Sequence, residues 1–270
     1  MKKLSKKKNV KRNLKAKIKN HVSKIMPDTK FLPITKVLPS MITLSSIVAG
    51  MTAILLASRG EFEKAVIAII LAAVFDGFDG RVARMFNASS QFGVELDSLA
   101  DSISFGVSPA FVMFFYATQN IKSFGWIVSV LFAISCVLRL ARFNVMTGDE
   151  EVPEYWHYFF TGVPAPAGAL MSLTPIMLFV ATGEKVFTCP YICMGWMLFV
   201  AFLMISRIPT LSLKKMKVAK NSLPVFLLCF VLFICMMYFH FWATASFIWS
   251  FYILTIPYTC FKFFKMKKNF

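Results

Sequence analysis

Residues 65–84 read Ala65-Val66-Ile67-Ala68-Ile69-Ile70-Leu71-Ala72-Ala73-Val74-Phe75-Asp76-Gly77-Phe78-Asp79-Gly80-Arg81-Val82-Ala83-Arg84, and residues 93–101 read Gly93-Val94-Glu95-Leu96-Asp97-Ser98-Leu99-Ala100-Asp101. An apolar helix thus runs into a cluster of aspartates. A charged residue near the centre of a bilayer costs roughly 2.5 to 3.5 kcal/mol on insertion scales. Four clustered carboxylates also repel one another. The sequence therefore predicts that a pair of divalent cations neutralises them.

The composition indicates a membrane protein. The chain has 270 residues, of which 57% are hydrophobic, and its mean hydropathy is +0.66. This is too apolar for an ordinary soluble domain. Stretches of about 20 apolar residues predict an all-α polytopic protein with eight transmembrane helices. The predicted spans are 39–58, 62–84, 95–117, 124–142, 162–182, 189–206, 223–240 and 243–261.

The basic residues predict the orientation of these spans. With the N-terminus in the cytoplasm, only four of the 30 Lys and Arg residues fall outside the cytoplasmic side, namely Arg59, Lys64, Lys122 and Lys185. This distribution follows the positive-inside rule, and an even number of spans returns the C-terminus to the cytoplasm. The net charge of +17 is then explained by topology and by attraction to anionic lipid headgroups, without nucleic acid. The expected location is the cell membrane, with the acidic cluster facing the cytoplasm.

Three regions follow from this pattern. Residues 1–36 form a basic cytosolic tail, either solvated or lying in part as a basic helix on anionic lipid. Residues 37–210 form the expected transmembrane core, which carries the aspartates, and residues 211–270 add a further hairpin and a basic C-terminal tail. The cysteines lie mainly in apolar spans without a zinc-ligand spacing, and the three histidines are isolated.

Helical periodicity places the acidic residues on two faces. At 100° per residue, Asp76, Asp79, Gly80, Ala83 and Arg84 share one face about 140° wide. On the next span Asp97 and Asp101 are i, i+4 neighbours, and the short connection predicts that the two helices are antiparallel. Carboxylate oxygens in this number suit Mg²⁺ or Mn²⁺. The small residues leave room for a ligand, and Arg84 supplies a cation for phosphate.

These residues fit the pattern D-x2-D-G-x2-A-R-x8-G-x3-D-x3-D, which resembles the signature of the CDP-alcohol phosphatidyltransferase family. Its eight positions are Asp76, Asp79, Gly80, Ala83, Arg84, Gly93, Asp97 and Asp101. The resemblance implies a six-helix core that binds CDP-diacylglycerol and displaces CMP with an alcohol. It also implies that the four aspartates share two metal ions, that Asp101 is the general base, and that the protein is a homodimer.

Further segments look like the phosphatidylserine synthase branch of this family. They are 96–110, Arg139-Leu140-Ala141-Arg142-Phe143-Asn144, and Gly162-Val163-Pro164-Ala165-Pro166-Ala167-Gly168. Serine as the acceptor brings a carboxylate to the site, and Arg139 and Arg142 are the candidate cations that would bind it. Simple positive-inside anchoring is the alternative reading of these two arginines.

One position departs from the pattern of many family members. The first span begins Pro39-Ser40-Met41-Ile42-Thr43, with Ser where many members have Asn. This puts a contact from Ser40 to the nucleotide in doubt, whereas Thr43 stays a candidate for binding CDP-diacylglycerol, together with Gly80, Ala83, Arg84 and Gly93.

Two alternatives to a serine acceptor stay open. One is a sister transferase that uses glycerol 3-phosphate, inositol or another alcohol; a phosphate-bearing acceptor would need a denser basic pocket than the sequence shows. The other is a cation transporter, although transporters usually carry their acids near the midplane and often have internal repeats. Lone intramembrane acids can also serve as proton relays or pair with arginines.

Overall fold

The computed structural model describes residues 34–86, 88, 90–146, 159–206, 208–211 and 223–269, which are almost entirely helical. Most of the predicted basic tail lies outside the described residues. In chain order the elements are α1 (Ile34–Ser58), α2 (Phe62–Met85), α3 (Gln91–Asp101), a π-helical segment (Ser102–Val107), α4 (Ser108–Met113), a second π-helical segment (Phe114–Thr118), a 3₁₀ turn (Gln119–Ile121), α5 (Lys122–Met146), β1 (Phe159–Thr161), α6 (Ala165–Ser172), α7 (Thr174–Thr182), a 3₁₀ turn (Lys185–Thr188), α8 (Pro190–Ile205), β2 (Pro209–Leu211), α9 (Leu223–Phe239) and α10 (Phe241–Asn269).

Several of these helices are apolar enough to cross a membrane, which agrees with the prediction from composition. Val37–Ser58, Gln91–Ile121 and Ser123–Val145 meet the requirement for length and hydropathy, and α6 and α7 together form a fourth candidate that is bent by 41°. The eight predicted segments overlap helices of the structure, but by length and composition only these three or four qualify as membrane spans among the described residues.

The core is built from large side chains contributed by many of the helices. Ile69 of α2, Phe105 of the first π-helical segment, Phe132 of α5, Met171 of α6 and Met197 of α8 are completely buried. By contrast, the described part of α9 exposes apolar side chains around most of its circumference. This exposure is expected of a helix that is surrounded by lipid.

The third predicted span deviates from a regular α-helix directly after Asp101. Residues 102–107 are π-helical, and the Ser108 hydroxyl donates to the carbonyl of Ile103, five residues earlier, at 2.9 Å. The hydroxyls of Ser104 and Ser108 both face Gly50 of α1, because a Cβ at Gly50 would lie 3.1 Å and 2.9 Å from them.

Buried hydroxyls fasten this π-helical segment to α1 and α2. Ser46 donates to the carbonyl of Ala72 at 3.2 Å and lies 3.2 Å from the Ser104 hydroxyl, which donates to the Ser46 carbonyl at 3.1 Å. Buried polar groups that are fully hydrogen-bonded fix the relative position of the elements that carry them. These bonds therefore hold the helices that bear the aspartates.

A bend at Leu173 divides the predicted span 162–182 into α6 and α7. Pro175 has no N–H to donate to the carbonyl of Met171, so a helical hydrogen bond is lost there. That carbonyl instead accepts from the indole Nε1 of Trp196 and from the Thr174 hydroxyl, each at 2.7 Å. The sequence prediction of one continuous span missed this bend.

A pair of short strands lies next to the end of α8. Strands β1 and β2 are antiparallel, with Phe160 opposite Thr210. Directly after β1, the amide of Gly162 donates to Ile208 at 2.9 Å, and φ at this glycine is +76°. The last helix, α10, packs against β2 and α7. The strands thus join the C-terminal helix to the core.

Candidate active site

The structure brings the four aspartates together at the ends of α2 and α3. One ligand oxygen each from Asp76, Asp97 and Asp101 lie within 4.8 Å of one another. Asp76 is within hydrogen-bonding reach of Asp101, and Asp79 is within reach of Asp97. The backbone of α3 packs mainly against α1 and makes less contact with α2. The aspartate side chains therefore occupy the space between α2 and α3.

These carboxylates fit a divalent metal. Paired carboxylates at this distance cannot all stay ionised without a compensating charge. The Oδ1 atom of Asp97 is buried and has no hydrogen-bond partner among the described residues, as expected for an oxygen that is kept for another ligand. Carboxylate oxygens are also the ligands preferred by hard cations. The acidic cluster could therefore hold a divalent ion.

The first helix positions one of the four aspartates. The Thr43 hydroxyl is buried and donates to Asp79 Oδ2 at 2.8 Å, across 36 residues of sequence. The same hydroxyl lies 3.1 Å from the carbonyl of Pro39 one turn earlier. Thr43 was predicted from the sequence as a substrate contact, whereas its bond to Asp79 gives it a place in the acidic cluster that the sequence did not reveal.

A cavity of about 170 Å³ opens beside the acidic cluster, between α1, α2 and α3. We call it the motif cavity. Its lining residues are Pro39, Ser40, Thr43, Asp79, Gly80, Ala83, Ala88, Ser90, Gly93, Val94 and Asp97. Four of the five residues that the sequence predicted to bind CDP-diacylglycerol therefore line this cavity, namely Thr43, Gly80, Ala83 and Gly93.

Arg84, the fifth predicted residue, does not line the motif cavity. Its side chain is exposed, and its Nε donates to the carbonyl of Gly80, one turn earlier, at 3.0 Å. By contrast, Ser40 does line the cavity even though it departs from the family pattern. Ser90 lines it as well and caps α3 by accepting from the amide of Gly93 at 3.0 Å. Ser90 is a site residue that helical periodicity could not identify.

The two arginines at the end of α5 have different environments. Arg142 donates from Nη1 to the carbonyl of Ile205 at 2.6 Å and thereby ties α5 to the end of α8. The Nε of Arg139 is buried and has no hydrogen-bond partner in the described part of the chain. Arg139 also lies within electrostatic range of Asp101. Only Arg139 thus combines proximity to the acidic cluster with an unused donor.

Comparison with known proteins agrees with this arrangement. Residues 36–205 match the family described as CDP-alcohol phosphatidyltransferase. The chain belongs to this family. The matched residues include the whole acidic cluster, the motif cavity and both arginines, whereas α9 and α10 lie beyond them. The family is a transferase family that uses divalent metals, which is consistent with the carboxylates found here.

Several similar proteins carry one name, CDP-diacylglycerol–serine O-phosphatidyltransferase. The protein from Mycobacterium bovis is 41% identical over 183 residues, which are 67% of this chain and 63% of that protein. The protein from Helicobacter pylori strain J99 is 37% identical over 184 residues, which are 66% of this chain and 73% of that protein. An archaetidylserine synthase from Methanothermobacter thermautotrophicus is 38% identical over 133 residues, covering 48% and 52% of the two chains.

Proposed function

We propose that this protein transfers the phosphatidyl group of CDP-diacylglycerol to the hydroxyl of L-serine, which gives phosphatidylserine and CMP. The observation that carries the proposal is the convergence of four carboxylates from α2 and α3 beside the motif cavity. The acceptor is inferred from the names of the similar proteins from Mycobacterium and Helicobacter.

The reaction exchanges one bond to phosphorus for another. A bond forms between the serine oxygen and the phosphorus of the phosphatidyl group, while the bond from that phosphorus to the bridging oxygen of the pyrophosphate breaks and CMP leaves. The proton of the serine hydroxyl goes to a base. We assign this base to Asp101, the last aspartate of the motif, because a carboxylate in reach of the hydroxyl can accept its proton.

All four aspartates, Asp101 included, also have a metal-binding role. Asp76, Asp79, Asp97 and Asp101 would hold two ions of Mg²⁺ or Mn²⁺, with Thr43 fixing the orientation of Asp79. Bound divalent ions would neutralise these carboxylates and stabilise negative charge on the phosphates of the substrate and of the leaving CMP.

The motif cavity is the proposed place of the cytidine diphosphate group. Gly80, Ala83 and Gly93 have small side chains or none, so the backbone can approach a ligand closely there. Arg84 lies at the same helix end with an exposed guanidinium. Its Nε is bonded to the carbonyl of Gly80, and its Nη groups could contact a phosphate while that bond is kept. We therefore assign Arg84 a contact with the substrate phosphates outside the motif cavity.

Arg139 is the proposed ligand of the serine carboxylate. A carboxylate next to an anionic pyrophosphate needs a cation, and a guanidinium binds it through two parallel hydrogen bonds. The buried, unpartnered Nε of Arg139 and its proximity to Asp101 support this choice. Arg142 is already bonded to the carbonyl of Ile205, so its proposed role is structural.

We also propose how the protein lies in the cell. Eight membrane spans with both termini in the cytosol would place the acidic cluster at the cytosolic face of the cell membrane, and the concentration of Lys and Arg on that side supports this orientation. The basic termini would then contact anionic lipids. A homodimer is proposed from the family resemblance alone.

A panel of acceptors tests the proposed function. Purified protein is given CDP-diacylglycerol, Mg²⁺ or Mn²⁺, and one of L-serine, glycerol 3-phosphate or inositol, and the released CMP and the lipid product are measured. Serine should give the highest rate and a product with a primary amine. A higher rate with glycerol 3-phosphate or inositol would replace serine by that acceptor. Absence of CMP release with every alcohol would overturn the transferase proposal and favour the alternative of a cation transporter.

A further inference from the structure

Helix α5 is fastened to α3 by a side-chain hydrogen bond near the acidic cluster. The Nδ2 of Asn144, in the last turn of α5, donates to the Ser98 hydroxyl of α3 at 2.9 Å. Ser98 directly follows Asp97, and its hydroxyl donates in turn to the carbonyl of Val94 at 3.1 Å. The bond therefore connects the helix that carries Arg139 to the helix that carries two of the aspartates.

A second contact between α5 and the same helical run lies on the other side of Asp101. Gly106 of the first π-helical segment and Cys136 of α5 are both buried. A Cβ added at Gly106 would lie 3.2 Å from the Cβ of Cys136 and 3.5 Å from its sulfur. Helix α5 packs along this π-helical segment. The missing side chain at Gly106 thus allows the close approach of the two elements.

These two contacts define the register of α5 against α3 and its π-helical continuation. The contact residues are eight positions apart on each side, and they meet in reverse order along the chain. The two helical runs are therefore antiparallel, with equal numbers of residues between the contacts. Asp101 lies between the contacts on one run, and Arg139 lies between them on the other. The register thus determines how these two residues stand relative to each other.

The register brings Asp101 and Arg139 to nearly the same level. Asp101 is three residues beyond the hydrogen-bonded serine of α3, and Arg139 is five residues before the asparagine of α5. At a rise of about 1.5 Å per residue, their backbones differ in level by roughly 3 Å along the helix axes. Each also comes three positions after a contact residue of its own helix, so both side chains project on the same side of this antiparallel pair. This placement agrees with the electrostatic proximity of the two groups.

We propose that Asn144 is a positioning residue: its bond to Ser98 holds the end of α5 in register with α3, so that the Arg139 guanidinium faces the acceptor alcohol. This inference rests on the proposed function, because it concerns the carboxylate of a serine acceptor. The motif cavity and the acidic cluster are built by α1, α2 and α3, and Arg142 separately ties the end of α5 to α8. Loss of the Asn144 bond should therefore affect the acceptor and leave the lipid substrate and the metal in place.

Steady-state kinetics of Asn144→Ala test the inference. The KM for serine should rise about fivefold with kcat changed less than twofold, because a hydrogen bond between uncharged groups contributes about this factor. The KM for CDP-diacylglycerol and the Mg²⁺ concentration for half-maximal activity should keep their wild-type values. Asn144→Gln, which retains the amide donor, should recover part of the affinity for serine.

A double-variant cycle with Ser98→Ala tests whether the effect depends on this bond. Ser98→Ala alone should raise the KM for serine by a similar factor, and adding Asn144→Ala should raise it less than twofold further. The matched control is Ser45→Ala, because this exposed hydroxyl donates to the carbonyl of Met41 within its own helix at 2.9 Å. The control should leave all the constants unchanged.

A second cycle tests the connection to the arginine. In an Arg139→Gln background, Asn144→Ala should change the KM for serine less than twofold, because the group that it positions has been removed. A full fivefold rise in that background would overturn the inference.

The remaining outcomes separate positioning from a general effect on the fold. Additive effects of Asn144→Ala and Ser98→Ala would overturn the inference, and so would an unchanged KM for serine in Asn144→Ala. A joint rise of the constants for serine, lipid substrate and metal would also overturn it, since the fold as a whole would then be disturbed. A wild-type protein that does not use serine at all would instead contradict the proposed function.

Discussion

Asp101 is the residue on which the proposed chemistry depends most. Its carboxylate lies within hydrogen-bonding reach of Asp76 and belongs to the cluster of oxygens within 4.8 Å. The variant Asp101→Asn keeps the shape of the side chain and one oxygen that can contact a cation, but it cannot accept the proton of the alcohol. General-base catalysis typically contributes 10²–10⁴-fold to a rate.

We therefore expect Asp101→Asn to lower kcat by at least about a hundredfold while CDP-diacylglycerol still binds. The measurement is serine-dependent CMP release, together with equilibrium binding of the lipid substrate. Asp101→Ala is the companion variant and should lose binding as well. If Asp101→Asn turned over at a near-normal rate, the base would have to be another group.

We expect different effects on serine binding and on stability when Arg139 and Arg142 are each changed to Gln. Arg139→Gln should raise the KM for serine tenfold to a hundredfold, since a charge-assisted hydrogen bond contributes about 1.5 to 3 kcal/mol. Arg142→Gln loses its bond to Ile205 and should lower stability by about 1 kcal/mol with little change in the serine KM. A serine titration at saturating lipid and a thermal melt of each variant check this. The reverse pattern would exchange the two assignments.

At this scale, the sequence predicted the acidic cluster but not the individual contacts. Periodicity placed Asp76 and Asp79 on one face because a helix repeats every 3.6 residues. It could not show that Thr43 donates to Asp79, since the two are 36 residues apart. It also could not distinguish Arg139 from Arg142, because the partner of Arg142 is a backbone carbonyl of another helix.

Among the elements, α1 and the π-helical segment after Asp101 approach each other closely near the site. A Cβ added at Gly50 would lie 2.9 Å from the Ser108 hydroxyl and 3.0 Å from the Cα of Ser104. Backbone at this distance cannot move aside without shifting a helix. Because the same helix carries Thr43, a shift of α1 would also disturb the bond to Asp79.

Gly50→Ala should therefore lower stability by about 1 to 3 kcal/mol, as expected for overpacking, and should also reduce activity. The matched control is Gly195→Ala in α8, where an added Cβ meets no atom within 4 Å of the described residues. Thermal unfolding in detergent and CMP release check both variants. An active, fully stable Gly50→Ala protein would show that the α1 contact does not determine the geometry of the site.

The sequence could not predict the π-helical segment or the break in the span 162–182, and the reason is physical. A hydropathy window recognises an apolar stretch but does not distinguish hydrogen bonds to the fourth residue from bonds to the fifth, as in the segment Ser102–Val107. In the span 162–182, Pro175 cannot donate a helical hydrogen bond to the carbonyl of Met171. That carbonyl is buried and accepts from Trp196 of another helix, a contact that a hydropathy window cannot show.

For the whole molecule, the proposed topology of eight spans places both termini in the cytosol. We expect reporter fusions after residue 270 and at the N-terminus to give cytosolic signals, because the basic residues concentrate on the side of both termini. A fusion in the 183–188 connection should report the opposite side. A C-terminal fusion on the external side would contradict the even number of spans.

The proposal as a whole depends on one reaction at one metal-holding site. The direct measurement is CMP released from CDP-diacylglycerol by purified protein when L-serine is added, before chelation, in excess chelator, and after Mg²⁺ or Mn²⁺ is restored. Because clustered carboxylates need a compensating cation, we predict that serine-dependent release stops in chelator and returns with the metal. Full serine-dependent turnover in excess chelator would contradict the proposed metal site, and release that serine does not stimulate would contradict the acceptor.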